Sequence, residues 1–334
     1  MTSETQQLIA ATGPPGTDEA AGLTVQARTQ GEMIRRRFLR HKGALAGLIM
    51  LTSAIVLAIS SIGYTIPLIG VHIPGWWDKN FVDIGASING GSPTLSVPPF
   101  GDGFAIGEHP FGQDNLGRDY FALTMRGAQV SLEIAFIAGF IGTFIGTVVG
   151  ALAGFFRGWV ESALMRFTDV LIAIPLLAIA AVLAFKYGSQ GTYTLALVLG
   201  LLIWTGLARL VRGEVLSIRE REYVEAARAA GTRSVRIIYK HILPNLIGVI
   251  IVSATLAVAS VILLESALSF LGVGVQPPGT SLGRLISDYQ DAFQTRPWLF
   301  WWPGLFIITI ALAVNFIGDG LRDAFDPRQT RVRE

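Results

Sequence analysis

Apolar residues run along this chain in long unbroken blocks rather than at helix or strand spacing. Six windows, residues 44–66, 134–156, 170–185, 187–208, 242–264 and 298–318, hold no Asp, Glu, Lys or Arg. About 20 helical residues cover the ~30 Å hydrocarbon core of a bilayer. The pattern therefore predicts an all-α integral membrane protein with six transmembrane helices. The third window is short and must borrow residues 165–169, tilt, or lie partly buried in protein. Pro175 within it can kink the helix. The blocks divide the chain into a polar cytoplasmic tail at 1–30, predicted to be disordered, and a basic interfacial helix at 31–43. The first span at 44–66 and an extracytoplasmic loop at 67–129 follow. Then come a five-helix core at 130–321 with a polar loop at 222–244, and a cytoplasmic tail at 322–334.

Composition agrees, with 51% hydrophobic and 15% charged residues. Its charge asymmetry adds an orientation. With the N-terminus inside, twenty of the 26 Lys and Arg residues fall on cytoplasmic segments and six outside, as the positive-inside rule requires. Both termini are then cytoplasmic in a multi-pass inner-membrane protein. The net charge of +2 gives no reason to invoke nucleic acid. With no cysteine in the chain, disulfides and thiol chemistry are excluded. No signal peptide is expected before the first span.

The polar island between spans four and five reads as two short helices. Residues 223–230 are rich in good helix formers, Gly231 suits a left-handed stop, and Thr232 or Ser234 can cap the next helix. Val235, Ile238, Tyr239 and Ile242 form its apolar face, and Pro244 fits the first turn of the following span. Composition alone favours an amphipathic helix lying on the membrane surface. The spacing, however, resembles the EAA loop of membrane subunits of bacterial ATP-binding-cassette importers, with Glu225, Ala226, Ala227, Gly231, Leu243 and Pro244 on the pattern. His241 stands where Ile is usual, as in the peptide and nickel branch. That resemblance implies a coupling helix docked on an ATPase, where Arg228 and Glu225 offer charge-assisted contacts.

Three further stretches resemble the "C"-type permeases of the dipeptide, oligopeptide and nickel family. Asp114, Gly117, Arg118 and Asp119 fall on an outer-loop motif that either braces the cavity mouth, touches the binding protein or forms an internal salt-bridged turn. Residues 265–278 match E-x-x-L-S-F-L-G-x-G-x-Q-P-P, with a sharp turn at its end. Residues 318–328 match the closing G-D-x-L-R-D-x-x-D-P-R, which either contacts the ATPase or caps the last helix. The resemblance implies a type I ABC importer permease fold with cytoplasmic coupling helices. It also implies a homologous "B"-type permease, two ATPase subunits and an extracytoplasmic substrate-binding protein as partners, with membrane lipid around them. ATP and Mg would belong to the ATPases, leaving this chain without a cofactor or catalytic residue and with peptide as the expected cargo.

Other candidates come from the residues themselves. Arg166 and Asp169 can pair across one helical turn at the inner end of span three, marking a gate or merely a solvated helix end. Glu265 follows 23 uncharged residues and is a candidate for the translocation path or its gate, although at the outer boundary a headgroup-level carboxylate costs little. Gly142, Gly146, Gly150 and Gly154 lie four apart and predict close helix packing. Trp76 and Trp77, like Trp298, Trp301 and Trp302, suit the interfacial belt. The G-x-S-x-G at 279–283 is not a nucleophile elbow, since no strand precedes it and no histidine follows it. No lysine sits in a phosphate-binding Gly-Lys-Ser/Thr, and no metal-ligand cluster is apparent. A stand-alone secondary transporter or channel is the competing reading, but none of the windows holds the mid-bilayer ionisable residue such proteins use. A membrane scaffold would not need the loop spacing.

Overall fold

A computed structural model describes residues 30–66, 70–96 and 103–326. The tail ahead of residue 30 and the final Pro327 and Arg328 of the closing motif lie outside these. Helix α1 (Gln30–Arg40) leads through His41, whose ring accepts the Ala44 amide, into α2 (Lys42–Ile62). The first span ends four residues before its apolar window does. Gly63, at φ 75°, turns the chain into a small antiparallel pair, β1 (Tyr64–Thr65) and β2 (His72–Ile73). A Cβ on Gly63 would lie 2.6 Å from the Ile73 carbonyl.

A second pair follows, β3 (Leu95–Ser96) and β4 (Ala105–Ile106). Helix α3 (Tyr120–Phe156) then runs 37 residues, starting well ahead of the predicted core boundary at 130. Helices α4 (Trp159–Ala173) and α5 (Leu176–Tyr187) meet at Pro175. Next come α6 (Thr192–Ile218), α7 (Glu222–Ala229), α8 (Ser234–Phe270), α9 (Leu282–Asp288) and α10 (Trp298–Phe325). Five of these helices are long and apolar enough to cross a bilayer. The α4–α5 region, extended through residue 190, is bent by 85° and supplies the sixth span if it crosses as one. Proline has no N–H to give the ladder and its ring clashes with the preceding turn, which accounts for the position of the break.

The main seam of the fold joins α3 to α6. Cβ atoms added at Gly142, Gly146, Gly150 and Gly154 would lie 2.6 Å from Ile203, 2.8 Å from the Trp204 carbonyl, 2.5 Å from the Ala208 carbonyl and 2.7 Å from Val215. The glycine stripe is thus a groove filled by the other helix, as its spacing predicts. α2 packs on α10, and α8 packs on both α3 and α10.

The described part of the loop between the first two spans packs onto the ends of α3 and α10. Trp77, predicted as a belt residue, packs edge-on against Phe121 at 5.1 Å and donates to Asp119. Phe111 stacks on Trp302 with ring centroids 3.8 Å apart. Trp76 and Trp301 keep large exposed faces.

Gly150→Leu should collapse the seam, costing at least the ~1–3 kcal/mol typical of overpacking and lowering the midpoint of thermal unfolding in detergent. Gly206→Leu, with nothing within 4 Å of its added Cβ, should leave that midpoint unchanged.

Candidate functional site

The ends of α3 and α6 at Phe156 and Ile218 carry a platform. Arg219, just past α6, donates to the Phe155 carbonyl at 2.6 Å, satisfying backbone acceptors at the C-terminus of α3. Arg157 and Arg219 both pair with Glu220. Burial, then the Arg157 charge, pulls the Arg219 guanidinium below its ordinary value, against the opposing pull of Glu220. On this base sits α7. Its Val224 is fully buried in a cluster with Phe155, Val211, Val215, Ile218 and Ile237. Arg228 lies 5.6 Å over the Phe155 ring, a cation–π contact.

The rest of α7 faces outward. Glu222, Glu225, Ala226, Ala229 and Ala230 are exposed, while Ala227 is half-buried against the cluster. Glu222 and Glu225 lie in the first turn, where the helix dipole favours negative charge. Gly231, at φ 74°, stops the helix as expected. The next helix departs from expectation in its cap and its face. Its N-cap is Arg233, with no side-chain bond from Thr232 or Ser234. Its buried residues are Ile237, Ile238 and Ile242, while Val235 and Tyr239 are exposed. A π turn at Ile238–Ile242 rotates the face, and the helix runs on through Leu243 and Pro244 to Phe270. His241 is half-buried there, and its carbonyl accepts from Asn245. The π turn lies directly ahead of Pro244, whose ring would clash with the carbonyl four residues back in regular α geometry.

The predicted Arg166–Asp169 pair is not formed. Asp169 faces α6 and bonds Arg209, and Glu161 bonds Arg212 with an Nε contact of 2.8 Å, while Arg166 is exposed. These two bridges tie α4 to α6.

Glu265 is likewise not the solvated headgroup carboxylate that its position suggests. It is fully buried. The Ser131 and Ser269 hydroxyls donate to its two oxygens at 2.9 and 2.7 Å. Ser269 also takes the Val275 amide, and Ser131 the Leu282 amide. The carboxylate and its two serines therefore join α3, α8 and the segment from Val275 to Leu282 into one polar knot, with Ser281 capping α9 within it.

Of the readings open for the outer-loop motif, the structure has the internal salt-bridged turn. Asp114 is buried and accepts from the Leu116 and Arg118 amides, the Arg118 Nε at 2.6 Å and the Tyr289 hydroxyl at 2.9 Å. Burial works against the Arg118 cation, but Asp114 more than offsets it and holds the guanidinium above its ordinary value. Burial, then Asp114, pushes the Tyr289 hydroxyl far above its own. Asp119 caps α3 through the Ala122 amide and takes His109 Nδ1 at 2.6 Å. Gly117, at φ 82°, packs against the Gly85 backbone.

A feature missed in the sequence lies between α2, α3 and α6, at the ends away from the α7 platform. A cavity of about 640 Å³ adjoins a smaller, more polar one, and Tyr64, Gln129, Glu133 and Tyr193 line both. Glu133 immediately precedes the apolar window 134–156, so it read only as the edge of a span.

The family profile described as "Binding-protein-dependent transport system inner membrane component" matches residues 146–331. The oligopeptide transport system permease protein OppC of Haemophilus influenzae is 35% identical over 93% of this chain and 93% of its own length. Its Escherichia coli K12 namesake is 36% identical over 92% and 94%. This chain belongs to that family. It is a multi-pass permease subunit of a binding-protein-dependent transport system. The inward-facing MetNI methionine ABC transporter shares the fold, with a TM-score of 0.50 at 20% identity, over 61% of this chain and 97% of that one.

Glu265→Leu should destabilise the permease by about 1–3 kcal/mol for each serine hydroxyl left without a partner. Glu265→Gln should restore most of that loss, as thermal unfolding of the two purified variants would show.

Proposed function

We propose that this permease is the "C"-type subunit of an ATP-driven importer that carries peptides across the bacterial cytoplasmic membrane. It would pair with a "B"-type permease and receive cargo from an extracytoplasmic binding protein, with two ATPases below. The observation that carries the reading is the α7 platform. Val224 anchors it to the ends of α3 and α6, while its small and acidic residues face outward. Small side chains allow close approach by a partner groove, and Glu225 can accept charge-assisted bonds. A stand-alone transporter or channel has no use for such a platform. Peptide as cargo rests on the names of the oligopeptide permeases that align over nearly the whole chain.

ATP closure and the loaded binding protein would each favour a different state of one access equilibrium. Force on α7 would pass to α3 and α6 through the Val224 cluster and to α8 through Gly231.

Glu225→Arg should uncouple ATP hydrolysis from peptide uptake in proteoliposomes while membrane insertion stays intact. Gly231→Val, a β-branched residue forced to positive φ, should do the same. Normal uptake with normal complex assembly would overturn the docking role. The orientation has its own check in a chain free of native cysteine. Ser92→Cys should react with an impermeant thiol reagent from outside the cell, and Ser234→Cys should not.

A further inference from the structure

The paired cavities at the outer ends of α2, α3 and α6 change from polar to apolar along α3. Ile55, Ile59, Leu132, Phe136 and Ile137 form the apolar part. Arg126, Glu133, Tyr64, Thr65, His72 and Tyr193 gather at the polar part. At ~1.5 Å per residue, Glu133 stands about 34 Å along α3 from Phe156, and Arg126 about 45 Å. Hydrocarbon occupies ~30 Å of a bilayer and the headgroups extend it to ~40–45 Å. Phe136 and Ile137, nearer Phe156, therefore lie at acyl depth and the charges at headgroup depth.

The charges have opposite sign and sit seven residues apart, two turns along one helix face. Arg126 bonds Gln129 Oε1 at 2.9 Å and lies 5.7 Å over the Phe81 ring, which leaves further guanidinium donors. The Tyr64 hydroxyl is pushed up to about 12, by burial and then by the Glu133 carboxylate beside it, so it remains a donor.

We propose that this cavity binds one amine-headed phospholipid of the outer leaflet, with its phosphate on Arg126, its ammonium on Glu133 and an acyl chain along Ile59 and Phe136. Guanidinium groups suit phosphate oxygens. Glu133 would oppose a purely anionic headgroup. A peptide also carries both charges, but it would leave the apolar part unfilled. Nearly all of the lining also precedes residue 146, where the match to the shared family profile begins. The outer-leaflet assignment rests on the orientation proposed above.

The test is native mass spectrometry of the full-length chain, purified with the subunits it retains. The sample is delipidated and returned to nanodiscs holding phosphatidylethanolamine and phosphatidylglycerol in equal parts. Wild type should keep one phosphatidylethanolamine in preference. Glu133→Gln should lower that retention about tenfold, as expected for one charge-assisted bond lost. Ile59→Trp, which fills the apolar part and leaves the charges intact, should expel the lipid while the unfolding midpoint holds. Equal retention of the two lipids, or retention unaffected by both variants, would overturn the proposal. So would displacement of the lipid by a dipeptide. Cross-linking of Ile59→Cys to a neighbouring subunit rather than to a photoactivatable phosphatidylethanolamine would also count against it. Lipid retention is read without transport, so the result stands apart from the identity of the cargo.

Discussion

Backbone contact between α3 and α6 is the constraint from which the other features follow. Lipid tails are as apolar as leucine, so helices in a bilayer associate by close packing and polar contacts rather than by escape from water. Four glycines remove the side chains that would hold α3 away from α6, and the carbonyls of Trp204 and Ala208 fill the space. With the two axes fixed, their inner ends meet where Arg219 and Val224 can bind both. At the outer end of α3, Asp119 closes the helix and ties it to the cap through His109 and Trp77.

Polar groups in this chain then divide by what surrounds them. Asp114, Asp119 and Glu265 are buried and satisfied, and each holds together elements far apart in sequence. Glu225, Ala226 and Ala229 of α7 are instead exposed above the cluster that buries Val224. The bridges from Asp169 and Glu161 to α6 are partly exposed. Pairs of this kind contribute under about 1 kcal/mol each, enough to set the position of a bent helix without locking it.

The sequence carried the spans, the Pro175 break, the glycine groove and the Gly231 stop, because each follows from local chemistry. Charge-free windows, a missing N–H, a missing Cβ and a positive φ need no tertiary partner to be read. Partner choice was illegible. Arg166 is the near neighbour of Asp169 along the helix, but Asp169 points toward α6 and finds Arg209 there. For Glu265, position along a helix says nothing about what lies beside it. There Ser131 of α3, Ser269 one turn on and the segment that brings Val275, Ser281 and Leu282 back enclose the carboxylate. The rotated face around Ile237 depends on one extra residue in a π turn, which periodicity cannot foresee. Glu133 was hidden for a simpler reason, since a charge next to an apolar window reads as the window's edge.

The helix from Ser234 to Phe270 gives the molecule a mechanical element. Its 37 residues make a rod about 55 Å long, rooted beside the α7 platform and ending five residues beyond Glu265. No loop interrupts it, so displacement at its foot has little slack in which to dissipate. The π turn ahead of Pro244 is its one compliant joint. Beyond that joint, the helix runs unbroken to the serine-bound carboxylate near its far end.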